Sequence, residues 1–156
     1  MKTLSILSLA IISILTFSCK KDSQSGAAVS TVETQKTLVA SSSWKVTLYT
    51  ERAVDYTSDF SKLQFTFSSN GTAAVASTVD TTVFRGIWTL IQKTHSSSDD
   101  SGHNSGSEDF KFTIMLSGNA RMSEISEDWA IVKLTETEMW LMDDNLDSPK
   151  VIHFVK

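Results

Sequence analysis

One stretch constrains the fold of this chain more than any other: Leu63-Gln64-Phe65-Thr66-Phe67, then Ser68-Ser69-Asn70-Gly71, then Thr72 to Thr78. Apolar and polar side chains alternate with a period of two. That places Leu63, Phe65 and Phe67 on one face of a strand and Lys62, Gln64, Thr66 and Ser68 on the other. Asn70-Gly71 supplies the positive φ angles of a tight hairpin turn, so Thr72–Thr78 returns antiparallel. A half-buried hairpin cannot stand alone in water, so the rest of the chain must supply further strands or a covering layer.

It supplies strands. Trp44, Val46 and Leu48 alternate with Lys45, Thr47 and Tyr49, and further strands are expected over residues 83–91, 110–116, 129–134, 138–142 and 151–155. In the 83–91 strand, Phe84, Gly86, Trp88 and Leu90 share one face, while Arg85, Ile87 and Thr89 share the other. Thr135-Glu136-Thr137 and residues 143–149 read as turns. Ahead of the first strand, residues 31–44 open with a short helix capped by Thr31, with Val32, Leu38 and Val39 toward the core. Eight short, sequential antiparallel strands predict an all-β fold, an up-and-down barrel, because closure removes exposed edges. A two-sheet sandwich shares the strand signature and is the structural alternative.

The amino terminus is of a different character. Met1-Lys2-Thr3 precedes an apolar run from Leu4 to Phe17, too short to span a bilayer as a helix and of the length of a signal-peptide core. The run ends at Ser18-Cys19-Lys20-Lys21-Asp22, and Cys19 is the chain's one cysteine. A lone thiol in an exported protein has no disulfide partner. From Lys20 to about Val32 the composition is Ser, Ala, Gly and charge, which suits a flexible tether. Residues 1–18 are therefore expected to be a leader, 19–35 a tether and 36–156 one folded domain with a single core. The formal net charge of −4 deepens by one when Lys2 leaves with the leader. A mildly acidic chain has no electrostatic pull on nucleic acid.

Two resemblances add to this reading. Leu15-Thr16-Phe17-Ser18-Cys19 resembles the lipobox of a bacterial lipoprotein. The resemblance implies that Cys19 is diacylated, that the peptide before it is removed, and that the mature protein is anchored to the cell envelope. The implied address is the periplasmic or surface face of a Gram-negative outer membrane. Stable anchoring needs more than one acyl chain, which such a modified cysteine provides. In the folded part, "SSSWKVTLY", "LQFTFSSNGTAAV", "FRGIWTL" and "AIVKLTETEMWLMD" occur in the order found in small bacterial lipocalin-like domains. That resemblance covers residues 36–156 and implies an eight-stranded calycin-type (lipocalin-like) barrel.

Catalytic signatures are lacking. There is no Gly-x-Ser-x-Gly, no phosphate-binding glycine loop, no His-Glu-x-x-His and no Cys-x-x-Cys, so the chain is not expected to be an enzyme or to carry a cofactor. Residues 95–110 bring His95, His103, Asp99, Asp100, Glu108 and Asp109 into one Ser/Gly-rich stretch. The spacing matches no calcium loop, nothing apolar would fix ligand geometry, and a long hairpin loop without metal is expected. Asp143, Asn145 and Asp147 alternate before Pro149 without the later bidentate glutamate of a calcium site, and read as a turn. Glu124, Glu127 and Asp128 read as a polar connection. Asp80-Thr81-Thr82 is a candidate acceptor for an O-linked glycan, and His153 reads as a strand residue.

Two functions are consistent with these features. In the first, a monomeric barrel binds a small apolar or amphipathic ligand, its interior lined by Trp44, Phe65, Phe67, Phe84, Trp88, Phe110 and Phe112. In the second, those same rings fill the barrel, and its surface engages an envelope protein partner. Eight strands enclose just enough room for side chains to fill, so the inward set discriminates between the two. The address is testable directly: Cys19→Ala should release the protein from membranes and abolish labelling by a tagged palmitate. An unlabelled wild-type band with ordinary soluble export would refute the anchor.

Overall fold

The computed structural model describes residues 31–93, 110–143 and 149–156. Cys19, the histidine-containing stretch from residue 95 to 109, and Asn145 and Asp147 lie outside them. The described chain runs α1 (Val32–Ala40), β1 (Ser43–Glu51), β2 (Val54–Asp55), a 3-10 turn (Thr57–Phe60), β3 (Leu63–Phe67), β4 (Thr72–Ser77) and β5 (Val83–Gln92). It continues with β6 (Phe110–Ser117), α2 (Ala120–Glu124), β7 (Asp128–Leu134), β8 (Glu138–Met142) and β9 (Lys150–Val155). Neighbours pair antiparallel in the order β1-β3-β4-β5-β6-β7-β8-β9, and β9 pairs back onto β1. The result is a closed eight-stranded antiparallel barrel preceded by a short helix, with the two-residue β2 appended to β1.

Helix α1 starts where the sequence places a cap: Thr31 accepts from the Thr34 N–H at 3.3 Å, satisfying one of the helix's unpaired first-turn donors. The helix expected behind that cap runs Val32–Ala40, and its first four residues overlap the 19–35 range drawn for the tether. Val39 is fully buried and Leu38 only partly so.

Strand β1 departs from simple alternation. Its pairing with β9 slips between Val46 and Leu48, a bulge that inserts Thr47. A one-residue slip moves every later side chain to the opposite face. Tyr49 is therefore fully buried and Leu48 half-buried, the reverse of the strict period-two expectation.

The turns hold two reversals. Asn70-Gly71 does not form a two-residue loop with both angles positive. Gly71 alone has φ +85°, and its N–H returns to Ser68 O at 2.9 Å while Ser68 N–H donates to Thr72 O at 2.8 Å. This is a three-residue loop with glycine in the bulge position. Asn70 instead accepts from the Thr72 N–H and hydroxyl through Oδ1. The hairpin with two left-handed residues is β1–β2, at Arg52 (φ 50°) and Ala53 (φ 64°). Neither is a glycine, and each side chain holds a conformation that crowds Cβ against the backbone.

Both mouths of the barrel are covered. Trp44 Nε1 donates to Val39 O at 2.8 Å and pins α1 over one end. Trp129 Nε1 donates to Ile125 O at 3.2 Å and fixes the residues ending α2 over the other, where Met122, Ile125 and Phe60 are buried. Trp88 Nε1 reaches Ser68 O at 2.9 Å and ties β5 to the β3–β4 loop. Three indoles thus act as staples, each burying a large ring while its one donor is satisfied by a carbonyl.

These features set two opposite expectations for urea unfolding. Phe67→Ala should cost about 3–5 kcal/mol, because its ring meets Trp88, Phe112 and Phe154 inside the barrel. Ala53→Gly should raise stability by about 0.5–1 kcal/mol, as relief of the left-handed strain outweighs the added freedom of the unfolded chain. A loss on Ala53→Gly would show that the β1–β2 turn is unstrained.

Candidate functional site

The rings proposed to line a ligand cavity converge, but on one another. Phe65 meets Phe154 edge-on at 5.2 Å between centroids, Phe67 meets Phe112 at 5.4 Å and Trp88 at 5.9 Å, and Trp88 lies 5.6 Å from Phe112. Tyr49 and Phe60 extend the chain of contacts toward the α2 end, 4.9 Å apart. Trp44, Phe65, Phe67 and Phe112 are at most 1% exposed, Trp88 4% and Phe110 7%. Phe84 is only half-buried: it lies at the start of β5 and covers Gly118, whose absent Cβ would stand 2.3 Å from the ring. Six of the seven rings are therefore core, and the seventh is rim. Trp129, Phe154, Phe60 and Tyr49 complete the filling, although none was among the rings expected to face inward. Trp129 and Phe154 sit in alternating strands, so their periodicity does signal them. Tyr49 escapes because of the bulge, and Phe60 because it lies in a 3-10 turn without strand period.

The mouth under α2 carries a charged latch. Arg121 pairs with Asp59 at 2.5 Å, also pairs with Glu124, and stacks over Tyr56 at 4.7 Å, joining α2 to the 3-10 turn. Lys150 at the start of β9 pairs with Glu127 and donates to Glu124 O at 3.2 Å. Glu124 and Glu127, expected in a solvated connection, belong instead to this latch, with Met122 and Ile125 buried beneath them. Tyr49 lies below it, fully buried, and its hydroxyl has no hydrogen-bond partner among the described residues. Burial, reinforced by Glu51, Glu124 and Glu127, pushes its ionisation far above the ordinary range, so it stays neutral at any physiological pH.

Outside the barrel, His153 stacks on Trp140 with centroids 4.5 Å apart and planes at 12°, and the Lys133 ammonium lies 4.4 Å from the Trp140 ring. Burial against the indole holds the imidazole below its ordinary value. The Thr47 hydroxyl donates to the His153 carbonyl at 3.4 Å. Among the described residues no three His, Cys, Asp or Glu side chains gather closely enough to hold a metal. Asp80 lies in the β4–β5 turn, accepting from the Thr82 N–H at 2.8 Å, so the Asp80-Thr81-Thr82 segment is exposed on the surface.

A groove of about 450 Å³ lies on the outside, between α1 and β5. Its walls are Glu33, Lys36 and Thr37 of α1, the Ser69-Asn70-Gly71 loop, and Trp88 to Ile91 of β5. The groove exists because β5 outruns its partner. β4 begins only at Thr72, opposite Ile87, whereas β5–β6 pairing continues to Gln92 opposite Phe110. Across the gap, Glu33 and Lys36 pair with each other at 3.0 Å. The volume lies within the range usual for ligand sites. Glu33, Lys36 and Thr37 were not singled out from the sequence, because a helix next to a strand's overhang is a tertiary event without a local pattern.

No protein-family model, curated protein or solved structure matches this chain. The groove, the latch and the filled interior are therefore weighed on their own chemistry. For the latch, the unpartnered hydroxyl gives a sharp expectation: Tyr49→Phe should raise the urea midpoint, by about 1 kcal/mol in free energy, because a desolvated donor is removed without loss of packing. A fall in stability would reveal a polar partner for Tyr49 at this mouth.

Proposed function

We propose that the protein is a lipid-anchored module of the cell envelope that works through its outer surface, with the barrel as a rigid scaffold for a protein partner. The observation that carries this reading is the mutual packing of Phe65, Phe67, Trp88, Phe112 and Phe154, which spends the interior on ring-to-ring contacts. A small barrel filled this way needs rings displaced before it can admit a ligand, at the cost of the contacts that stabilise it. The anchor rests on the Ser18-Cys19 junction after a short apolar run and before a polar tether. Tethered through Cys19, the domain stands at the membrane without crossing it, positioned to meet other envelope proteins.

A second reading places a small amphipathic molecule in the groove between α1 and β5 instead of inside the barrel. It is favoured by the volume of about 450 Å³ and by a lining that combines Trp88, Leu90 and Ile91 with Glu33 and Lys36.

Two measurements separate these readings. Fatty acids, retinoid-like molecules and haem, titrated against tryptophan fluorescence, should leave the signal unchanged on the first reading. A photoreactive residue at the exposed Thr89 in living cells should give a discrete protein adduct that the same residue at Thr137 does not. A saturable fluorescence change with no adduct at Thr89 would transfer the function to the small ligand.

A further inference from the structure

Apart from Met1 the chain holds four methionines, and the fold divides them into two unlike pairs. Met122 and Met139 are fully buried, the first under the α2 mouth and the second in register with Phe154. Met115 is 57% exposed and Met142 44%. Eight large apolar side chains are exposed among the described residues, and six of them are valine or isoleucine. Those six are chemically inert. The two methionines alone carry sulfur, the one atom of this apolar surface that an oxidant can attack.

Their settings are alike. Met115 stands opposite Ile87 of β5, which in turn faces Thr72 of β4, so the outward row Thr72–Ile87–Met115 carries no charge. On its other side Met115 borders a cleft of about 280 Å³ shared with Thr113, Ser126, Glu127 and Asp128, where β7 has left β6. Such a cleft is roomy and polar enough to keep water beside the thioether. Met142 ends β8 opposite Ala130 and Val151, again a row without charge. The main chain beneath Met115 is held fast. Ile114 N–H donates to Glu127 O and Leu116 N–H to Ser126 Oγ, and β5 runs so close that a Cβ on Gly86 would stand 1.9 Å from the Met115 carbonyl oxygen. A change in the Met115 side chain therefore stays on the surface.

We propose that Met115, together with Met142, is a reversible oxidation site at which a hydroperoxide turns an apolar outer face polar while the core stays reduced. The sulfur lone pair attacks one peroxide oxygen, an S–O bond forms and the O–O bond breaks. The proton of the transferred oxygen passes to the leaving oxygen, which departs as water or an alcohol. Sulfur loses two electrons and the peroxide gains them. A sulfoxide reductase reverses the step with two thiols, which become a disulfide as the oxygen leaves as water. The inference concerns the state of the surface and does not depend on whether a protein or a small molecule engages it.

The test treats the purified full-length protein with hydrogen peroxide and follows each methionine by mass spectrometry. Met115 and Met142 should gain one oxygen about tenfold faster or more than Met122 and Met139, which react only when the barrel opens. The near-ultraviolet circular dichroism should be unchanged, and retention on a hydrophobic-interaction column should fall. A methionine sulfoxide reductase with dithiothreitol should restore that retention. Met115→Leu keeps the apolar volume and should lose part of the shift, and the double variant with Met142→Leu should lose all of it. Protein recovered from cells exposed to peroxide should carry the sulfoxide at the same two positions. One common rate for all four methionines, a retention that oxidation leaves unchanged, or an equal shift in the double variant would each overturn the proposal. So would loss of the near-ultraviolet signal on oxidation, or recovered protein reduced at both positions.

Discussion

Strand β9 completes the barrel by pairing with β8 on one side and with β1 on the other, from Lys45–Val155 to Glu51–Lys150 with a one-residue slip at Thr47. Every other feature depends on that seam. It joins the two ends of the folded chain, so almost the whole chain must be in place before it can form, and such long-range pairing is slow to nucleate. In return it leaves no sheet edge running the length of the molecule. The Thr47 bulge sits in this seam. By reversing the face of the residues after it, the bulge sends Tyr49 into the core, against Phe60. Closure is thus coupled to the filling of one mouth.

The tryptophans show how a small barrel covers its ends. Trp44, Trp88 and Trp129 each bury a ring and donate the indole N–H to a carbonyl of the element they hold: α1, the β3–β4 loop and the end of α2. A buried donor left unsatisfied would cost more than the bond contributes, so each staple has a narrow geometry. Trp140, the remaining tryptophan, lies outside against His153 and Lys133. Three indoles thus hold covering elements in place, and the inner phenylalanines pack on one another.

The groove is a consequence of unequal strand lengths. The Ser68–Gly71 loop delays the start of β4 to Thr72, opposite Ile87, while β5–β6 pairing continues to Gln92. Had β4 begun earlier, the groove would have vanished into the ladder. Helix α1, pinned by Trp44, stands across the gap without closing it. One loop geometry, set by Gly71 at φ +85°, is thus linked both to the hairpin register and to the groove.

The alternation of Leu63, Phe65 and Phe67, with that of several other stretches, was enough to predict eight sequential strands and an all-β fold, because a period of two is a local property that sheet burial demands; only the pairing of β9 with β1 decided for the barrel over the sandwich. Thr31 as a cap and the shared face of Phe84, Gly86, Trp88 and Leu90 were legible for the same reason. The inward rings were legible as a set, but their use was not: whether they surround a ligand or one another depends on barrel diameter and ring geometry, which only closure fixes. The Thr47 bulge, the left-handed Arg52-Ala53 turn, the burial of Tyr49 and Phe60, and the latch joining Arg121, Asp59, Glu124, Lys150 and Glu127 have no local signature. Each arises where segments distant in sequence meet, and the free energy that selects it comes from those contacts. The same holds for the groove, since nothing in Glu33, Lys36 or Leu90 announces it until α1 packs beside the stretch of β5 that β4 does not reach.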